Sequence, residues 1–162
     1  MSDPQTAQPC SLPLRSYGYV LLVLLILFSG RVLAQLIQAW VPVRFLPPFD
    51  AWHSGVLPYP ALVLIQLIII GLCLGAVWKV LAGSVVLSPR KGRILLALGL
   101  VYFGVMALRL AVGVFLAPDH FWFGARLPTL FHLVLAAFVL LYGRLHSACR
   151  RERTERSREG VL

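Results

Sequence analysis

Four apolar stretches alternate with shorter polar ones along the chain, at about Tyr17–Trp40, Ala61–Ala82, Ile94–Ala117 and Thr129–Leu145. A helix needs roughly 20 residues to cross ~30 Å of hydrocarbon at 1.5 Å per residue, and each stretch approaches or exceeds that length. The pattern therefore predicts an all-α fold, a polytopic membrane four-helix bundle. Residues 1–16 are polar and hold three prolines, which reads as a flexible leader. Residues 17–145 form the four-span domain, and residues 146–162 a basic tail. One alternative concerns the first span. Arg15, the apolar run Tyr17–Phe28 and the "RVLA" before Gln35 imitate a cleavable signal peptide. Apolar character resumes after Gln35, which favours retention of the span.

Composition agrees with burial in lipid. Hydrophobic residues make up 59% of the 162 and charged residues only 13%, against about 45–50% and about 25% in soluble domains. The formal charge of +9 would point to nucleic acid in a soluble protein, but its placement argues for orientation in a membrane instead. Lys79, Arg90, Lys91 and Arg93 lie between spans two and three, and Arg144, Arg150, Arg151, Arg153, Arg156 and Arg158 follow span four. The other two connections, 41–60 and 118–128, hold one arginine each, Arg44 and Arg126. By the positive-inside rule this predicts a multi-pass protein of a bacterial-type inner membrane with both termini cytoplasmic. The expected partners are membrane lipids, with a larger membrane complex or a homo-oligomer as further options and no nucleic acid. The basic tail rests against anionic lipid in this reading.

Polar residues inside the spans are few and fall on defined faces. Arg31, Gln35 and Gln38 stand at i, i+4 and i+7 in span one, hence on one side of a helix. Tyr102, Met106, Arg109 and Gly113 share a face of span three, while Gln66 lies in span two and His132 one turn into span four. Arg31 is about 12–13 Å below the outer end of its helix, too deep for its side chain to reach water without strain. If these faces point inward, two arginines, several amides, a phenol and an imidazole gather in the outer half of the bundle. No aspartate or glutamate occurs in any span, which argues against a proton- or cation-coupled carrier. The candidates for balancing Arg31 and Arg109 are then helix-end carbonyls, acids folding back from the outer connections, or an anionic ligand such as a lipid phosphate, a carboxylate or a quinone oxygen.

The outer connections resemble each other. "DAWHSGVLPYP" from Asp50 and "DHFWFGARLPT" from Asp119 both run acid, aromatic, glycine, leucine, proline. Each Leu-Pro opens a helix, where proline is tolerated because a first-turn amide has no intrahelical partner. The similarity suggests two similarly oriented transmembrane hairpins. It also marks Asp50, His53, Asp119 and His120 as outer-loop candidates for the site or for an acid–base pair. Trp40, Trp52 and Trp122 read as an outer aromatic belt and Trp78 as an inner one. The "GLCLG" of Gly71–Gly75 reads as a small-residue seam for close helix packing.

Catalytic and metal chemistry find little support in the pattern. Cys10, Cys73 and Cys149 have no metal-ligand spacing, and no catalytic, cofactor-binding or metal-ligating residue is assigned. A bis-histidine haem would need His132 with His53 or His120, since His132 and His146 are ~21 Å apart along one helix. In gross layout, four short spans with little else, the chain looks like the DoxX-type membrane proteins; that resemblance covers the spans and carries no site residue. The expected role is non-catalytic: binding a lipid-like or anionic amphiphile through Arg31, Gln35, Gln38, Gln66, Tyr102, Arg109 and His132, or serving as an accessory subunit of a membrane complex. The rival readings are a quinone- or haem-binding oxidoreductase subunit and a small anion transporter that acts as an oligomer.

Overall fold

The computed structural model describes residues 13–41, 43, 44, 46, 58–116 and 126–159, with side chains to residue 148. Four α-helices follow one another, α1 (Leu14–Trp40), α2 (Tyr59–Leu81), α3 (Pro89–Phe115) and α4 (Arg126–Glu159), with no strand among the described residues. All four are long and apolar enough to cross a membrane, and the chain is a small multi-pass integral membrane protein. Helices are the only open-ended elements that satisfy their backbone groups within one segment in lipid. Apart from the C-terminal end of α4, the ends lie within about five residues of the expected ones. α3 begins at Pro89 and takes in Arg90, Lys91 and Arg93, and α4 continues as helix through residues 146–159.

Prolines and one glycine set the helix limits. Pro58 precedes α2 and Pro60 lies in its first turn, Pro89 opens α3, and Pro128 lies in the first turn of α4, all at positions whose amides need no intrahelical acceptor. α2 ends in a Schellman motif: Ser84 N–H donates to Lys79 O at 3.0 Å and Gly83 N–H to Val80 O at 3.2 Å. Gly83 has φ +67° there, a conformation in which a Cβ costs energy.

The buried positions of α1 recur at alternating intervals of three and four: Gly18, Leu21, Leu25, Phe28, Val32 and Gln35. That is the seam of near-antiparallel helices crossing at a shallow angle. α1 packs on α2 and α4, and α3 packs on α4, while α2 and α3 do not pack on each other among the described residues. Among the described residues the helices of the two hairpins α1–α2 and α3–α4 thus pack on each other only through α1 and α4. Neighbours are antiparallel: Gly18 meets Val80 and Leu81, Gln35 meets Gln66, and Gly99 meets Leu140. The apolar core lies toward the end that bears both termini, with Leu21, Leu25, Cys73, Val77, Val80, Phe138 and Leu145. We call that end proximal. The end bearing the α1–α2 and α3–α4 connections is distal.

Close helix approach occurs on α3 and α4 rather than at the expected seam on α2. A Cβ on Gly92 would sit 2.9 Å from Ser147 N, and one on Gly143 would sit 3.0 Å from Leu96 N. Gly71 and Gly75 are exposed, and a Cβ on either meets nothing within 4 Å. The reason is helical phase. The buried face of α2 is set by Gln66, Cys73, Val77 and Val80, and residues two before and two after Cys73 turn about 200° away from it.

Exposed tryptophans mark two levels along the bundle, Trp40 at the distal end of α1 and Trp78 near the proximal end of α2. The α1–α2 register sets Trp78 level with about Leu22, and Leu22 to Trp40 spans about 27 Å of helix. This is close to the thickness of a bilayer core.

Candidate functional site

Of the buried polar side chains among the described residues, all but His146 lie in the distal half. Arg31 and Arg109 keep only 7% and 6% of their surface exposed, and Gln35 and Gln66 only 0% and 6%. Arg31 is nine residues below Trp40, about 13 Å, which is near the middle of the slab between the tryptophan levels. Arg109 is six residues from the end of α3 at Phe115, about 9 Å.

Each helix delivers its part for a local reason. On α1 the four- and seven-residue spacing aligns Arg31, Gln35 and Gln38 on the buried face. Arg31 lies over Phe131 of α4, with its Cζ 5.9 Å from the ring centroid, within range of a cation–π contact. Tyr59 lies in the first turn of α2, and Tyr102 and Arg109 stand seven residues apart on one face of α3. The Tyr102 Oη and the His132 Nδ1 are 2.7 Å apart, a hydrogen bond whose donor is set by the histidine tautomer. The two rings meet edge to face with centroids 6.1 Å apart. Arg31 and Arg109 therefore stand in one cluster that draws on all four helices.

The glutamines divide into two roles. Gln66 Nε2 donates to Gln35 Oε1 at 3.5 Å, the long limit of a hydrogen bond. The Gln35 Nε2 and the Gln66 Oε1 are buried and have no hydrogen-bond partner among the described residues. Gln38 points the same way but is used by the chain, since its Oε1 accepts the Val43 N–H at 2.9 Å. It ties the α1–α2 connection to the end of α1.

Sequence reasoning brought together Arg31, Gln35, Gln66, Tyr102, Arg109 and His132, and the structure places these in the same half of the bundle. It missed Phe131, Tyr59 and the fully buried Thr129. Thr129 lies three residues before His132, one helical turn away, and that spacing was a usable signal. Nothing in a run of apolar residues distinguishes Phe131 as the ring beneath an arginine. Asp50, His53, Asp119 and His120, the resemblance between the two connections, and Trp52 and Trp122 lie outside the described residues. At the proximal end His146 is buried and its Nδ1 accepts the Ser88 N–H at 3.2 Å, which fastens the α2–α3 connection to α4. Cys73 is a buried free thiol in the apolar core. Among the described residues no group of three or more histidine, cysteine or acidic side chains is placed to hold a metal ion.

Chemically the cluster offers donors and positive charge. Two guanidiniums supply planar forks of N–H groups suited to carboxylate or phosphate oxygens. The phenol–imidazole pair and the amide pair can each donate and accept. No protein family, curated protein or solved structure matches this chain. The likeness to the DoxX-type layout accordingly rests on four spans and no more, and function has to be argued from the cluster.

Proposed function

We propose that this membrane protein holds the anionic head of a lipid-like amphiphile in the polar cluster of its distal half. The observation that carries the reading is the burial of two arginines from different helices in one half of the bundle, Arg31 over Phe131 and Arg109 on the α3 face whose Tyr102 bonds His132, with an amide pair one turn from Arg31 that keeps an unmet donor and an unmet acceptor. An arginine near the bilayer centre costs roughly 2.5–3.5 kcal/mol on insertion scales. Two in one cluster also repel each other, so the site is electropositive and gains from an anion. The site keeps this sign whatever groups Arg31 and Arg109 already touch, and the two guanidiniums have ten N–H donors in all.

A lipid-like ligand is favoured over a water-soluble anion by depth and by packing. The cluster lies about a third to a half of the way into the hydrocarbon slab from its distal face. α2 and α3 do not pack on each other among the described residues, so an amphiphile reaching the cluster from the bilayer on that side has no packed helix pair to part. By the positive-inside rule we place the proximal end, with Lys79, Arg90, Lys91, Arg93 and Arg144, on the cytoplasmic side of a bacterial-type inner membrane. The test is native mass spectrometry of the protein from nanodiscs of phosphatidylcholine with a minor anionic phospholipid. The reading expects one anionic lipid retained well above its share of the bilayer; retention in proportion to bilayer composition would contradict it.

A further inference from the structure

We infer that the Gln35–Gln66 pair is a hydroxyl subsite, so that the ligand is an anionic amphiphile carrying a free hydroxyl next to its phosphate or carboxylate. This rests on the amphiphile reading above and narrows it to a chemical class. Two primary amides have two carbonyl oxygens and two NH2 groups. One N–H···O contact between them, here 3.5 Å long, leaves one oxygen and one NH2 unmet. Exchanging the oxygen and nitrogen assignments of both side chains returns the same result with the roles reversed. The pair therefore always presents one unmet acceptor and one unmet donor, one on each amide and both buried.

A hydroxyl answers both at once, because it donates one hydrogen bond and accepts others. A quaternary amine answers neither and is repelled by Arg31 and Arg109. The placement also fits. Gln35 is one turn distal of Arg31 on the same face, with about 5–6 Å between neighbouring Cβ atoms at that spacing. A phosphodiester bound at Arg31 puts the hydroxyl of a short polyol head at the level of the amides. The order from the membrane centre outward, charge and then hydroxyl, is the order in a glycerol-headed phospholipid whose tails point inward. A single trapped water could fill the same place, and the experiment separates the two.

Nanodiscs of phosphatidylcholine receive equal minor amounts of phosphatidylglycerol and phosphatidylmethanol with distinguishable isotopic acyl chains. Both minor lipids are monoanionic phosphodiesters, and only the first has a hydroxyl. Native mass spectrometry then reads the ratio of the two on the folded protein within one spectrum, for wild type and for the double variant Gln35→Leu/Gln66→Leu. Two modest buried hydrogen bonds predict about a tenfold preference for phosphatidylglycerol in wild type and a ratio near one in the double variant, with both lipids still enriched over phosphatidylcholine. Equal enrichment of both in wild type, or a preference that survives in the double variant, overturns the hydroxyl subsite and leaves the anion site standing. Failure to enrich either lipid over phosphatidylcholine overturns the amphiphile reading itself.

Discussion

Tyr102 on α3 and His132 on α4 meet with Oη and Nδ1 2.7 Å apart, next to Phe131, the ring over which Arg31 lies. The bond links α3, which packs on α4 alone among the described residues, to the polar cluster at about the level of Arg31. Tyr102 and Arg109 stand seven residues apart on one face of α3, so the bond draws the Arg109 face toward the cluster.

That bond has a measurable coupling. Interhelical hydrogen bonds in membrane proteins average about 0.6 kcal/mol and reach about 1.7. A double-mutant cycle of Tyr102→Phe and His132→Leu, read by unfolding in detergent, is expected to give a coupling within that interval. A coupling of zero would mean that the two groups are independently solvated.

Gly92 on α3 and Gly143 on α4 should be intolerant of even one added methyl, and Gly71 and Gly75 on α2 indifferent. Gly92→Ala and Gly143→Ala force backbone apart at contacts of 2.9–3.1 Å, and overpacking of this kind costs typically 1–3 kcal/mol. Gly71→Ala and Gly75→Ala meet open space and replace a poor helix former by a good one. Thermal unfolding of the four variants in one detergent checks this: the first two are expected to melt lower than wild type, the last two level with it or higher.

Much of the fold was legible in the amino-acid pattern because lipid imposes simple demands. A span has to be apolar for about 20 residues and helical throughout, so four such stretches announce four helices. The face of α1 that carries Arg31, Gln35 and Gln38 was also legible, since helical phase alone decides it. Partner choice was not. Gly71 and Gly75 have the spacing of a packing seam, but only the Cys73–Val77 face of α2 meets a neighbour, and phase within one helix does not say which face is used. Gln38 has the spacing of a ligand residue, yet its carbonyl is taken by Val43, a contact that depends on how the chain leaves the helix. Phe131 and Tyr59 join the site through helix pairing, which apolar sequences specify only weakly.

Orientation follows from charge placement and can be checked with single cysteines in a background where Cys10, Cys73 and Cys149 are replaced by serine. Arg44→Cys, in the distal connection, is expected to react with a membrane-impermeant maleimide added to spheroplasts. Ser84→Cys, in the proximal connection, is expected to react only after permeabilisation. The reverse pattern would place the polar cluster in the cytoplasmic half of the membrane.

The central claim is that Arg31 and Arg109 hold an anionic head. It is tested most directly by native mass spectrometry of wild type, Arg31→Gln, Arg109→Gln, Arg31→Lys and Arg126→Gln from identical nanodiscs of phosphatidylcholine with a minor share of phosphatidylglycerol, with a melting curve for each. The account predicts that both deep glutamine variants lose enriched anionic lipid by at least about tenfold, in keeping with a lost charge-assisted hydrogen bond of roughly 1.5–3 kcal/mol. It predicts partial retention in Arg31→Lys, which keeps the charge without the fork, and full retention in the exposed Arg126→Gln. Glutamine variants that melt lower but retain the same lipid as wild type would contradict it and assign the two arginines to holding the helices together.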